Sequence, residues 1–91
     1  MLRLPRELTY RQARSCLSQL QPQVQGFDGA RVPVDAGGLE VFDSAALAVL
    51  LACRRTAQAV DKQLVVVDLP QGLQSMAALY GVDGLLSVQQ A

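Results

Sequence analysis

The run from Leu64 to Val67 constrains the fold more than any other segment of the sequence. Its four consecutive apolar residues, three of them valine, predict a strand with both faces buried or nearly so. Helical patterns flank it, over Ser44 to about Ala59 and from Pro70 onward. A strand between two helices needs neighbouring strands and helices packed on the sheet. With 91 residues, the chain has the length for one such domain, residues 1–91, of class α/β or α+β.

The rest of the chain supplies the other elements of this domain. Thr9 predicts an N-cap, and Gln12 three residues later completes a capping box. Gly81 lies where a C-terminal cap glycine belongs. The pattern predicts an edge strand around Leu2 and Leu4, a helix over 9–20 that ends at Gln21-Pro22, a strand over 30–36, a short apolar segment over 39–42, a last helix with Leu73, Met76, Ala77 and Tyr80 facing inward, and a closing strand or hydrophobic tail over 82–88.

The helix that begins at Ser44 is the most informative segment for function. Asp43 is its predicted N-cap. One side carries the residues expected to face the core, namely Ala46, Val49, Leu50, Cys53, Ala57 and Val60. The other side should be polar but instead carries Ser44, Leu47, Ala48, Leu51 and Ala52 before Arg55. A helix that is apolar all round is usually covered all round, so this side predicts a partner surface. Alternatively, Leu47 and Leu51 are ordinary exposed or flank-packed leucines.

Composition excludes several classes of function. Eight Lys and Arg balance eight Asp and Glu, so we expect no binding to nucleic acid through a basic surface. The chain has no histidine, which removes the most common general base near neutral pH and a common metal ligand. Cys16 and Cys53 are expected to be buried, reduced thiols. We therefore expect no metal, no cofactor and no catalytic residues, and the protein is not expected to be an enzyme.

The first residues and the longest apolar run of the sequence indicate where in the cell the protein is expected. The first residues lack the apolar stretch of a secretory signal, and the run from Ala45 to Cys53 is shorter than the roughly 20 residues that cross a bilayer. A cytoplasmic location is expected. Arg54 and Arg55 are expected on a solvated helix face or, as the alternative, against an acidic group of a partner.

The segment LEVFDSAALAVLLACRRTAQ, residues 39–58, resembles the signature of STAS domains, in which a strand ends in an Asp-Ser/Thr-x-Gly turn that opens a helix. The preceding VPVDAGG and the following LVVVDLPQGLQSMAALYGVDGLL look like the flanking elements of that family, so the likeness covers roughly residues 1–88. Ala46 replaces the usual glycine, which favours an ordinary helical backbone there. STAS domains include anti-sigma-factor antagonists and the MlaB-type subunits of phospholipid-transport ABC systems.

The resemblance implies a mixed β-sheet with helices mainly on one face and a partner surface at the start of the Ser44 helix. It implies a noncatalytic MlaB-type subunit that binds and stabilises the cytosolic ATPase of an inner-membrane phospholipid-transport ABC system, and that meets the membrane only through the transporter. Such systems maintain the lipid asymmetry of the outer membrane. The expected contact residues are Asp43, Ser44, Leu47, Ala48, Leu51, Ala52 and Arg55.

Two alternatives follow from the same residues. The protein could be an anti-sigma-factor antagonist that binds a kinase-type anti-sigma factor. The antagonists are phosphorylated at the second residue after the motif aspartate, which is Ala45 here, so Ser44 would have to accept the phosphate. The apolar side of the Ser44 helix would also suit a homodimer.

Overall fold

The structure, a computed structural model, describes residues 2–89 as strands that alternate with helices. In chain order the elements are β1 (Leu2–Arg3), β2 (Glu7–Leu8), α1 (Ala13–Gln25), β3 (Arg31–Asp35), β4 (Val41–Phe42), α2 (Ser44–Ala59), β5 (Gln63–Val67), α3 (Gln71–Leu79), a short 3-10 helix (Asp83–Leu85) and β6 (Ser87–Gln89). The predicted α/β class is confirmed, as is a closing strand at the end of the chain.

Four strands form one sheet in the order β1-β3-β5-β6, and β2 pairs with β4 beside it. All of these pairs within residues 2–89 are parallel, although a mixed sheet was expected. The chain passes through a helix between each strand of the larger sheet and the next, which is the connection that parallel neighbours require. The β3-β5 pair, with Val34 opposite Val66, lies at the centre.

All three helices cover the same face of the larger sheet. Each crossover steps in the same direction across the strand order, and right-handed crossovers that do so place their helices on one face. The helix-facing residues of β3, Val32 and Val34, are fully buried. The largest fully buried side chains are Leu8, Val24, Val32, Val34, Leu50, Cys53, Val66 and Leu73.

The central strand is buried on both faces, as its sequence predicts. Leu64 and Val66 point into the helix-covered core. Val65 points to the opposite face yet is only 4% exposed, and its neighbours in register are Pro33 and Ser87. Side chains of the adjacent strands therefore shield this face without a second layer of helices.

The start of α1 keeps the predicted capping contact in a modified form. The Gln12 side chain accepts a hydrogen bond from the Thr9 backbone N–H at 2.9 Å, as a capping box requires. Residues 9–12 form a turn, however, and the helix begins at Ala13 with Gln12 in the N-cap position. The predicted start at Thr9 is therefore one turn early.

The predicted end of this helix at Gln21-Pro22 is wrong. Pro22 lies inside α1, which continues to Gln25. The proline is exposed, and the following turn is held by the fully buried Val24. Contacts of this last turn with the rest of the domain outweigh the one helical hydrogen bond that proline cannot make.

Lys62 caps the end of α1 from another part of the chain. Its ammonium group donates to the carbonyl oxygens of Val24 at 3.2 Å and Gln25 at 2.7 Å, and also to that of Phe27. The carbonyls of Val24 and Gln25 belong to the last turn of α1, and a cation at this end opposes the negative pole of the helix dipole. The residue just before β5 thus ties the end of α1 to the sheet.

We predict that Lys62→Met lowers the free energy of unfolding by about 1–2 kcal/mol, because it removes a charged donor from three carbonyls. Urea denaturation followed by circular dichroism measures the change. The control is Arg31→Met, at an exposed position, with an expected change under about 0.5 kcal/mol. Equal unfolding midpoints for Lys62→Met and the wild type would contradict the capping role.

The two cysteines are free and buried, as predicted, on facing helices. Burial raises the pKa of the Cys53 thiol to about 11, and the neighbouring Cys16 adds to this increase. Burial also raises the pKa of Cys16. Both thiols therefore stay protonated at neutral pH and pack as small apolar groups.

Two residues expected in the core lie outside it. Val60 is 40% exposed and Tyr80 is 59% exposed. Each occupies the C-cap position, where the chain leaves the helix, so the helical spacing no longer determines which way the side chain points. Gly81 does adopt the predicted capping conformation, with a φ of 72°.

Candidate functional site

The start of α2 is built around the Asp43 carboxylate. One oxygen accepts a hydrogen bond from the Ala45 backbone N–H at 2.8 Å, which confirms the predicted N-cap. The other oxygen accepts from the Tyr10 backbone N–H at 3.1 Å. Asp43 therefore satisfies a free donor of α2 and also fixes the segment that leads into α1 beside it.

The outer face of α2, which we define as Ser44, Ala48, Leu51, Ala52 and Arg55, lies on the surface of the domain. Ser44, Ala48 and Arg55 are exposed, and Leu51 and Ala52 are half-buried. Leu51 also packs against the core cluster. The outer face is therefore a shallow surface of small side chains with one leucine and one arginine.

Leu47, predicted as part of this face, is a core residue with 3% exposure, so that assignment is wrong. The bond from Gln21 to Thr56, 3.1 Å long, marks the side of α2 that faces α1. Leu47 lies on the opposite side of the helix, toward α3, which packs beside α2. The leucine is thus covered from within the domain.

The Tyr10 backbone lies beside the start of α2, and Arg11 contacts the Tyr10 side chain; no role was predicted for either residue. Tyr10 is 71% exposed although its backbone is fixed by Asp43. The Arg11 guanidinium carbon lies 5.8 Å from the centre of the Tyr10 ring, and its Nε donates to the phenol oxygen at 3.3 Å. In the sequence, Tyr10 is simply an aromatic residue between Thr9 and Arg11. That order does not predict a contact with α2.

The part of the chain that the structure describes brings together no group of three or more Asp, Glu or Cys side chains that could hold a metal ion. Two shallow grooves of about 480 and 530 Å³ lie beside α3 and α1, and their walls carry no pair of carboxylates. Over residues 2–89, no helix combines the length and apolar character needed to cross a membrane. The outer face of α2 is a surface that can serve a function through contact alone.

A sheet with helices on one face and an exposed helix opened by an aspartate agree with the resemblance of residues 39–58 to STAS domains. The family model described as "Mlab, STAS domain" matches residues 1–87, and the chain belongs to this family. STAS domains are in general noncatalytic regulatory domains. A search of curated proteins finds no match.

The solved structures include a similar fold. The anti-sigma factor antagonist SpoIIAA in its unphosphorylated form superposes with a TM-score of 0.76 at 15% sequence identity. The match covers 98% of this chain and 76% of that chain. At this level of identity the likeness establishes the STAS fold and confirms the resemblance that residues 39–58 suggested.

We predict that Asp43→Ala lowers the free energy of unfolding by about 1–2 kcal/mol, because the N–H groups of Ala45 and Tyr10 both lose their acceptor. Chemical denaturation measures the loss. Asp43→Asn is the matched control, since its amide oxygen can still cap the helix, and its loss should be smaller. If Asp43→Ala unfolds at the same denaturant concentration as the wild type, the carboxylate does not hold these two segments together.

Proposed function

We propose that this protein is a noncatalytic subunit that binds and stabilises the cytosolic ATPase of an MlaB-type phospholipid-transport ABC system. The outer face of α2 is the contact surface. Membership in the family of MlaB-type STAS domains supports the proposal. The observation that carries it is the exposure of Ser44 and Ala48 on a helix whose opposite side is fully buried in the core.

The small side chains of this face suit a protein contact. Ser44 and Ala48 lie one turn apart, and Ala52 follows one turn later, so a partner's backbone can approach α2 closely. Leu51 adds a half-buried apolar contact, and Arg55 adds a charged donor at the edge. Burial of such a patch gains from the removal of apolar surface from water and needs few hydrogen bonds.

The test is a comparison of tagged variants in affinity purification from the protein's own cells. We predict that Ala48→Arg loses the ATPase and its membrane subunits from the purified complex, because a long side chain blocks close approach. Ala48 is exposed, so the variant should remain folded, whereas a change at Leu51 would also disturb the core. Ala78→Arg on α3, the same substitution at another exposed helix position, should retain the complex.

Mass spectrometry identifies the subunits, and circular dichroism checks that both variants are folded. A complex that survives Ala48→Arg would remove the contact from α2. Recovery of a kinase-type anti-sigma factor in place of an ATPase would overturn the transporter assignment.

The second candidate, an anti-sigma-factor antagonist, is favoured by the fold shared with SpoIIAA and by the exposed Ser44 hydroxyl. A phosphate on Ser44 would lie at the positive end of α2 but beside the Asp43 carboxylate, which repels it. The intact protein is incubated with ATP and an extract of its own cells, or with a kinase that co-purifies with it. The transporter proposal predicts that no phosphate is added to its mass. An added mass of one phosphate group in the wild type, absent in Ser44→Ala, would favour the antagonist instead.

A further inference from the structure

We infer that the partner presents an acidic amphipathic helix to this domain, and that Arg11, Arg14 and Arg55 form the basic rim that receives it. The inference rests on the proposed function in so far as it takes the outer face of α2 as the docking face. It adds the chemistry of the partner segment and two contact residues from outside α2.

The net charge of this domain is zero, but its acidic and basic side chains are distributed unevenly between the helices and the rest of the chain. None of the eight Asp and Glu residues lies within α1, α2 or α3, and the charged residues of these helices are Arg14, Arg54 and Arg55. The acidic residues lie in strands, turns and loops, except for Asp83 at the start of the short 3-10 helix. The helical layer is thus positive while the rest of the chain balances it.

Arg14 lies on the side of α1 that borders α2. It precedes Gln21 by seven residues, which is two helical turns, and Gln21 bonds to Thr56 of α2. The two helices run in the same direction, since both connect parallel strands on one face of the sheet. Seven residues back along both helices, Arg14 is level with Val49, the residue that follows the exposed Ala48 in α2.

The other two arginines complete the rim around this small-residue surface. Arg11 donates to the phenol of Tyr10, whose backbone N–H is bound by Asp43 at the start of α2, and Arg11 also borders the groove beside α1. Arg55 follows Ser44 by three turns on the exposed stripe of α2. All three arginines are exposed, and neither Arg11, Arg14 nor Arg55 has a salt bridge to an acidic side chain among the described residues.

The Asp43 carboxylate at this surface does not neutralise the rim. Both oxygens of Asp43 accept backbone N–H groups, and the carboxylate lies at the helix start, where it serves as a cap. Arginine and tyrosine are the residues that most often dominate the energy of protein interfaces. An apolar strip of Ala and Leu with guanidinium groups along its borders therefore fits a helix that carries Ala or Leu on one side and Glu or Asp beside it.

The same charges disfavour a second copy of this chain as the occupant. A twofold contact through the outer face of α2 would bring six arginines together, three from each copy, without acidic partners. The outer face of α2 itself exposes small side chains and a half-buried leucine, whereas interfacial helices hold to membranes with several large inserted apolar side chains.

The test is a selection for peptides that bind the full chain. The probe is a display library of 20-residue helices with Ala and Leu fixed on one side and Glu, Lys or Gln drawn equally at the flanking positions. We predict that the selected peptides are enriched in Glu at the flanks. Triple substitution of Arg11, Arg14 and Arg55 by Gln should weaken their binding about tenfold or more, and the effect should shrink at high salt.

The matched control replaces three exposed arginines outside the helical layer, Arg3, Arg6 and Arg31, by Gln, which makes the same change in net charge. Its binding should stay within about twofold of the wild type, since Arg3 and Arg6 are already paired with Asp35 and Glu40 and Arg31 lies at the start of β3. Flanks that match the unselected library, flanks rich in Lys, no enriched peptide, or equal losses in the two triple variants would each overturn the inference. Arginine-dependent co-sedimentation with phosphatidylglycerol vesicles in the absence of enriched peptides would replace the acidic helix by a membrane surface.

Failure of this inference is distinguishable from failure of the proposed function. If Ala48→Arg abolishes recovery of the ATPase while the selected peptides show no acidic preference, only the chemistry of the partner segment is wrong. If acidic peptides bind but no ATPase is recovered, the basic rim stands and the transporter assignment falls.

Discussion

The arrangement of the candidate binding surface, the outer face of α2 with Tyr10 beside it, depends on the Asp43 carboxylate. It joins two segments that are 33 residues apart in the chain, the turn before α1 and the start of α2. The two oxygens accept N–H donors at 2.8 and 3.1 Å, so the exposed Tyr10 and the outer face of α2 are held in a fixed relation. A docking surface assembled from two elements needs such a link, because independent motion of the elements would add an entropic cost to every binding event.

The positions of strands and helices could be predicted because their signals are local. The valine-rich run of β5, the Asp43 cap and the Gly81 cap each describe a few adjacent residues, and the structure has all three. The end of α1 could not be predicted in this way. Its last turn passes Pro22 because the buried Val24 and the distant Lys62 hold it, and neither contact is visible in the spacing of α1 itself.

The candidate face was predicted in part for the same reason. Helical spacing placed Ser44, Ala48 and Arg55 together correctly on an exposed stripe. Helical spacing could not show that α3 covers the side of α2 that bears Leu47. It assumes that a helix is buried from the sheet alone, whereas α2 lies between two neighbouring helices that also cover it. Tyr10 was missed since its place beside α2 comes from a hydrogen bond across 33 residues.

The short outer strands of the larger sheet have a consequence for solubility. Its edges are β1, with two residues, and β6, with three, in a chain that is 51% hydrophobic. An edge of that length offers few free backbone groups to another sheet, and Arg3 puts a positive charge on one of them. The long apolar strand β5 lies inside, paired on both sides. The chain order thus keeps its most aggregation-prone segment out of reach of other molecules for as long as the domain stays folded.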